Sequence, residues 1–355
     1  MSHENFEGYK TKLKKLKDQV IVITGASSGI GLVTARMAAA EGAKVVLAAR
    51  NEEALKELTE ELRQAGHKAV YVRADVGMEE EVNMIAETAL TSFGRFDTWV
   101  NNAGVAIYGN AMDISYQDMK RLFATNFWGV VYGSRAAVQH YRERSIPGAL
   151  INIGSIFGDR GTLIQSIYAT SKFAIHGWTE SLRIEMERDC TPVSITLIHP
   201  GMIDTPYNEH ARSYLEYQPV HKGMIYPPEA VAEAILYAAS HPKRDIYVGS
   251  QAKLFQLLGA NFPRLTDKLW ERISPSKQYD EKRKSNSPEE SNLYHAGYGM
   301  HERGTNLGWK RKRSIFVKAA KHPVLTRIIV AGISVWAVRK MKKIIREETN
   351  QTVNK

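Results

Sequence analysis

Tyr168 and Lys172 stand four residues apart in Tyr168-Ala-Thr-Ser-Lys172. That spacing puts both side chains on one face of a helix. A free phenol, with a pKa of about 10, is a poor acid–base group near neutrality. A neighbouring ammonium stabilises the phenolate and brings that value down. A phenol so tuned can give a proton to a carbonyl oxygen as hydride reaches the carbon, or take one in the reverse sense. Ser155, thirteen positions earlier, offers a hydroxyl that can hydrogen-bond the same oxygen and hold it in place.

A second group suits a phosphate-bearing ligand. Thr24-Gly25-Ala26-Ser27-Ser28-Gly29-Ile30-Gly31 follows the β-branched run Val20–Thr24. A glycine-rich turn between a strand and a helix lets backbone amides approach a phosphate, and the helix N-terminus favours the anion. The glycines do not have the G-x-G-x-x-G spacing, and alone such a turn is also a plain strand–helix connection. Further along come Asn101-Asn102-Ala103-Gly104, then Pro200-Gly201 with Thr205 beyond.

The elements that must position these residues alternate. Short apolar runs at 20–24, 44–49, 68–72, 97–100, 149–153 and 193–198 read as buried strands. Stretches at 29–41, 52–65 and 79–93 read as helices between them. Continuous apolar strands alternating with helices predict an α/β fold, a doubly wound parallel sheet with helices on both faces. The glycine loop, Asn102, Ser155 and Pro200 then all fall just beyond strand ends, where such sheets bind ligands.

These motifs together resemble the short-chain dehydrogenase/reductase family, in the form with T-G-x3-G-x-G, N-N-A-G, a serine thirteen before the tyrosine, Y-x3-K and P-G. The resemblance covers residues 18–250 and implies a Rossmann-type catalytic domain. It assigns the catalytic set to Asn126, Ser155, Tyr168 and Lys172, with Asn126 supporting a water-linked proton path. It gives Lys172 a second role, on the nicotinamide ribose. The cofactor residues it implies are Thr24, Gly25, Ser27, Ser28, Gly29, Ile30, Gly31, Arg50, Asp75, Val76, Asn102, Ala103, Gly104, Tyr168, Lys172, Pro200, Gly201 and Thr205. Asp75 and Val76 would contact the adenine ring. The substrate would be a small-molecule carbonyl or alcohol, and the chain a homo-oligomer.

Arg50 bears on the choice of dinucleotide. An acidic residue about 20 positions after the glycine loop favours NAD(H) through the ribose 2′-hydroxyl. Here Ala49 occupies that place and Arg50 follows. A guanidinium can pair with a 2′-phosphate, so the sequence predicts NADP(H) in preference to NAD(H).

No histidine spacing of the metal-binding kind is present, and the single cysteine, Cys190, excludes both an internal disulfide and a multi-cysteine zinc site. No metal is expected. His199 is expected to pack beside the cofactor. Residues 204–226 carry Tyr207, Tyr214, Tyr217 and Tyr226 where the family has a flap. Those aromatics suit a lipophilic carbonyl compound and equally suit packing of the flap onto the body.

The net charge of +10 is uneven, because residues 309–355 hold 13 Lys or Arg against two acidic residues. A near-neutral body argues against a nucleic-acid-binding protein. Residues 1–17 are a basic lead without the apolar core of a secretory signal, so the expected location is cytoplasmic. Beyond the catalytic domain, 251–273 reads as an amphipathic helical segment, 274–308 as a polar linker, and 309–355 as a basic tail with a short apolar helix, making the C-terminal extension mainly helical. The eleven uncharged residues 328–338 are too few to span a bilayer. Contact of 309–346 with an anionic membrane surface and docking on the body are both consistent with this pattern. The alternative to an enzyme is a dinucleotide-sensing or membrane-associated binding protein on the same fold with vestigial catalysis. The intact Ser155, Tyr168 and Lys172 favour the enzyme.

Overall fold

The computed structural model describes residues 12–249, 261–273, 278–311 and 314–322. Seven parallel strands form the central sheet. They are β1 (Val20–Thr24), β2 (Lys44–Ala49), β3 (Ala69–Arg73), β4 (Thr98–Asn101), β5 (Gly148–Ile153), β6 (Val193–Pro200) and β7 (Asp245–Val248). Their spatial order is β3-β2-β1-β4-β5-β6-β7. The order reverses between β1 and β4, which opens a crevice at their carboxyl ends. β7 is an addition to the six strands expected from the sequence.

Alternation along each strand feeds two cores. Ile21 and Ile23 of β1 join Leu47 and helices α1 (Gly29–Ala40) and α2 (Glu52–Gln64) on one face. Val20 and Val22 join Phe96, Trp99 and helices α3 (Glu79–Phe93), α4 (Gly129–Arg144) and α5 (Ser166–Arg188) on the other. Period-two side-chain direction requires this division. Local chemistry sets the helix ends. The Asn51 side chain accepts the Ala54 amide at 3.0 Å and caps α2, with Glu52 and Glu53 in its first turn. Exposed Cys190 lies in the turn from α5 to β6, with φ +51°, at the amino edge of the sheet.

Beyond β7 the expected linker is corrected. Tyr279–Lys284 forms a strand antiparallel to Tyr217–Pro219. Residues 291–306 then run back across the crevice, with Leu293 fully buried. Polar composition suggested a linker because this stretch makes its contacts largely through backbone carbonyls and single polar side chains. Trp309–Lys310 pairs in parallel with Met224–Ile225. In the helix Ile315–Lys321, Val317 packs into the first core and Lys321 pairs with Glu233 at 2.6 Å. Of the segment 251–273, the structure describes a helix at Pro263–Ile273. The apolar run 328–338 and its basic flank lie outside the described residues. Among the described residues, no helix is long and apolar enough to cross a membrane.

Candidate active site

The glycine loop closes tightly on the end of β4. Gly25 and Gly29 have φ of +68° and +52°, where a side chain is strained. A Cβ on Gly25 would sit 2.8 Å from the Ala103 Cα, and one on Gly29 would sit 3.2 Å from the Thr205 side chain. Gly31 has no room at all, since its Cβ would meet the Gly25 carbonyl oxygen at 2.0 Å. The Asn102 side chain donates to the Thr24 carbonyl at 2.9 Å. Thr24 Oγ1 accepts the amides of Asn102 and Ala103 at 3.0 and 3.1 Å. Thr24 is buried and outside the cleft lining, so its side chain braces the loop rather than facing a ligand.

The resulting cleft is lined by Gly25, Ser27, Ser28, Gly29, Arg50 and Asp75. Val76, Ala103 and Thr125 also face it. A narrow, glycine-lined space at a helix N-terminus fits the diphosphate of a dinucleotide. The Asp75 carboxylate is paired with Arg121 and accepts the Gly77 amide at 2.9 Å, which holds its pKa below the usual carboxylate value against the cost of burial. The Arg50 guanidinium donates to the carbonyls of Asn292 and Leu293. Burial lowers the pKa of Arg50, with Asp75 acting the other way.

A second cavity adjoins the cleft; Ile30, Asn102, Gly104, Thr205 and Tyr207 line both. Ser155, Tyr168, Lys172, Pro200 and Gly201 converge on it. Its other walls are largely apolar, from Tyr108, Ile156, Phe157, Met202, Ile203 and Val220, with Gln165, His221 and Gln278 as polar points. Ser155 and Tyr207 are the polar neighbours of the Tyr168 hydroxyl. The Tyr207 ring meets the Tyr168 ring edge-on, 5.6 Å between centres.

The expectation that Lys172 lowers the Tyr168 pKa is corrected. Burial raises the Tyr168 pKa above its ordinary value, and the neighbouring Tyr207 and Ser155 only oppose this. Lys172 donates to the Ile153 carbonyl at 2.8 Å, and its Nζ lies 5.7 Å from the Tyr168 ring centre. Desolvation lowers the Lys172 pKa from 10.5 to about 8. Sequence spacing gave the proximity of the pair and not the loss of water around it.

Asn126 sits fully buried in a π-helical turn, Ala124–Trp128. Its side chain accepts the Val105 amide at 2.8 Å and donates to the Val105 carbonyl at 3.0 Å and to Ser171 at 3.1 Å. It thereby ties the chain after Gly104 to helix α5. Of the four flap tyrosines, Tyr207 alone lines the second cavity. Tyr214 bonds Asp118 at 2.8 Å, Tyr217 stacks on Tyr279, and Tyr226 packs in the core.

The expected position of His199 is also corrected. His199 Nδ1 lies 3.3 Å from Asp159, and its Nε2 lies 3.2 Å from Asp245. His176, one helical turn beyond Lys172, places Nδ1 3.2 Å from the same Asp159 carboxylate. Asp159, His176 and His199 are thus brought close enough to offer ligands to a metal ion. No local spacing foretold this, because the three come from a loop, a helix and a strand. The carboxylates raise the His199 pKa against desolvation, and the two histidines draw the Asp159 pKa down to about 2. Reasoning from sequence also missed His210, Asn292, Gly297 and Tyr298 as lining of the glycine-lined cleft.

Comparison with known proteins agrees with this geometry. The model of the family described as short chain dehydrogenase matches residues 19–215. The uncharacterized oxidoreductase YxnA of Bacillus subtilis is 69% identical over 332 residues, 93% of each chain. An uncharacterized oxidoreductase of Staphylococcus aureus is 38% identical over 232 residues, 64% of this chain and 94% of its own. Among solved structures, a short chain dehydrogenase/reductase from Burkholderia phymatum in complex with NAD has a TM-score of 0.63 at 27% identity. It covers 72% of this chain and 96% of its own. A short-chain type dehydrogenase/reductase from Mycobacterium marinum has a TM-score of 0.59 at 26% identity, with 67% and 96% covered.

Proposed function

This chain belongs to the short-chain dehydrogenase family, and from that premise we propose an NADP(H)-dependent oxidoreductase that interconverts an alcohol and a ketone or aldehyde. The observation that carries the reading is the convergence of Ser155, Tyr168 and Lys172 on one cavity that shares a wall with the glycine-lined cleft. When bound, the nicotinamide supplies hydride for reduction or accepts it for oxidation. Asn102, Gly104, Thr205 and Tyr207, which line both spaces, would mark where the two reactants meet.

In the direction of reduction, the substrate oxygen would sit against the Tyr168 and Ser155 hydroxyls. Ser155 donates to that oxygen and orients it, and Tyr168 gives it a proton. Because burial keeps the Tyr168 phenol protonated, proton donation is the half-reaction its ground state favours. Lys172, held by the Ile153 carbonyl, places positive charge where a phenolate would form. Asn126 is a positioning residue that fixes the chain after Gly104. The mainly apolar cavity supports a lipophilic substrate. Arg50 follows Ala49 at the end of β2, where an acidic residue would favour NAD(H), and supports NADP(H) over NAD(H).

Replacing Tyr168 by Phe tests the proposal. We expect turnover of a carbonyl panel to fall by about two to four orders of magnitude, with NADPH binding by fluorescence titration retained. Unchanged turnover would sink the reading that Tyr168 carries the proton transfer.

A further inference from the structure

We infer that residues 291–306 form a strap that roofs the nucleotide end of the cleft and gates entry and exit of the dinucleotide. The inference rests on the nucleotide reading of the cleft given above. It concerns a segment beyond the residues that match the family model.

The strap is tied to the residues that would hold the ligand. The Gly29 amide, at the start of α1, donates to the His301 carbonyl at 2.9 Å, and the Met300 amide donates to the Ser27 carbonyl at 2.8 Å. Asn51 Nδ2 donates to the Gly297 carbonyl at 2.9 Å, and Arg50 reaches the carbonyls of Asn292 and Leu293. Across the cleft, Arg121 donates to the Leu293 carbonyl at 2.9 Å and the Tyr294 hydroxyl to Asp118 at 2.8 Å.

The same strap is tied to the substrate side. The Asn306 side chain donates to Asp204 at 3.1 Å and accepts from Asn208 at 2.9 Å and from the His221 amide at 3.1 Å. Tyr298 bonds Glu209. One segment therefore latches the glycine loop, the end of β2 and the flap together.

Glycines stand where the strap comes nearest the body. A Cβ on Gly299 would lie 2.2 Å from the Ala54 Cβ, and one on Gly304 would lie 2.4 Å from the Thr205 carbonyl oxygen. Such positions admit only glycine without displacement. The seat is thus fitted to the strap.

The strap does not fill the cleft. A space of about 170 Å³ remains, with Ser27, Arg50 and Asp75 on one wall and Asn292, Gly297 and Tyr298 on another. Three buried polar atoms on that lining, Thr125 Oγ1, His210 Nε2 and Asn292 Oδ1, have no hydrogen-bond partner among the described residues. Unpaired buried polar atoms are costly. Ribose hydroxyls, phosphate oxygens and an adenine amine are the partners a dinucleotide brings. A roof over a space with unmet polar groups must open to admit that ligand and then close on it.

Stopped-flow binding of NADPH to the full chain tests this. With gating, the observed rate levels off at high NADPH, at the rate of strap opening. Gly299→Val, which lifts the strap from Ala54, should raise that plateau and the dissociation rate at least ten-fold. Tyr294→Phe combined with Tyr298→Phe removes two latches without adding bulk and should act the same way. A rate linear in NADPH and identical in wild type and both variants, all with wild-type melting, would overturn the gate. Binding by the variants alone would overturn the roof and make the strap a plug. If folded wild type and variants all fail to bind NADPH, NADH and 2′,5′-ADP, the nucleotide reading itself fails, and the inference with it.

Discussion

The Lys172 ammonium lies 5.7 Å from the centre of the Tyr168 ring while donating to the Ile153 carbonyl. The cation is therefore fixed beside the phenol by the backbone of β5, away from water. Such a placement favours chemistry over stability.

Lys172→Met should separate the two. Burial lowers the folded-state pKa to about 8 from 10.5. Below about 8 the folded chain bears the full cost of a buried cation. Between the two values the unfolded chain still binds the proton, so stability rises with pH. Without its nucleotide, the Met variant should melt higher than wild type at pH 7, by roughly 3 kcal/mol at most. The gain should fade towards pH 10, while turnover falls about a hundred-fold or more. Melting curves across that range check the sign, and a Met variant less stable at pH 7 would contradict it.

Arg50→Ala probes the choice of dinucleotide. A charge-assisted hydrogen bond to a 2′-phosphate amounts to about 1.5–3 kcal/mol. NADPH should bind roughly ten- to a hundred-fold more weakly, and NADH should change little. Equal weakening of both in parallel titrations would show that Arg50 acts only by holding the strap carbonyls.

His199→Gln should show a stability cost that depends on pH. The raised pKa of His199 means that its pairing with Asp159 and Asp245 is fully present below the unfolded value of about 6.5 and is lost as pH rises through the folded value. The Asp159 side of the pair holds until pH falls towards about 2. Near pH 5.5 the variant should be about 3 kcal/mol less stable, and the gap should narrow by pH 9. Denaturant melts at the two pH values measure it; a gap that widens with pH is the opposite outcome.

Two glycines on different helices should respond in opposite senses to alanine. At Gly31 the new Cβ meets the Gly25 carbonyl oxygen at 2.0 Å and the Asn102 side chain at 2.7 Å. Forced displacement should cost about 1–3 kcal/mol. At Gly177, within α5, nothing lies within 4 Å, and alanine should stabilise by about 0.5–1 kcal/mol. Thermal melts of the two variants give the comparison directly.

The fold was largely legible because buried parallel strands are short runs rich in β-branched residues, as in Val20–Thr24 and Val193–Ile198. β7 was not, since four residues beginning with Asp245 at the sheet edge carry little pattern. Ser155, Tyr168 and Lys172 were readable because helix periodicity and strand ends bring their spacing together. The strap was hidden because much of its grip is through carbonyls, at Asn292, Leu293, Gly297 and His301, which have no residue-type signature. Gly297, Gly299 and Gly304 were the available trace. Desolvation at Tyr168 and Lys172 is a tertiary property and is absent from local spacing.

Cys190 has a practical consequence of its own. It is the one thiol in the chain, it is exposed, and it precedes β6 at the edge of the sheet opposite the strand ends that bear the cleft. Maleimide coupling through it would mount every molecule on a sensor surface in one orientation, cleft outward, with no residue exchanged. Ligand capture could then be followed on an unaltered chain.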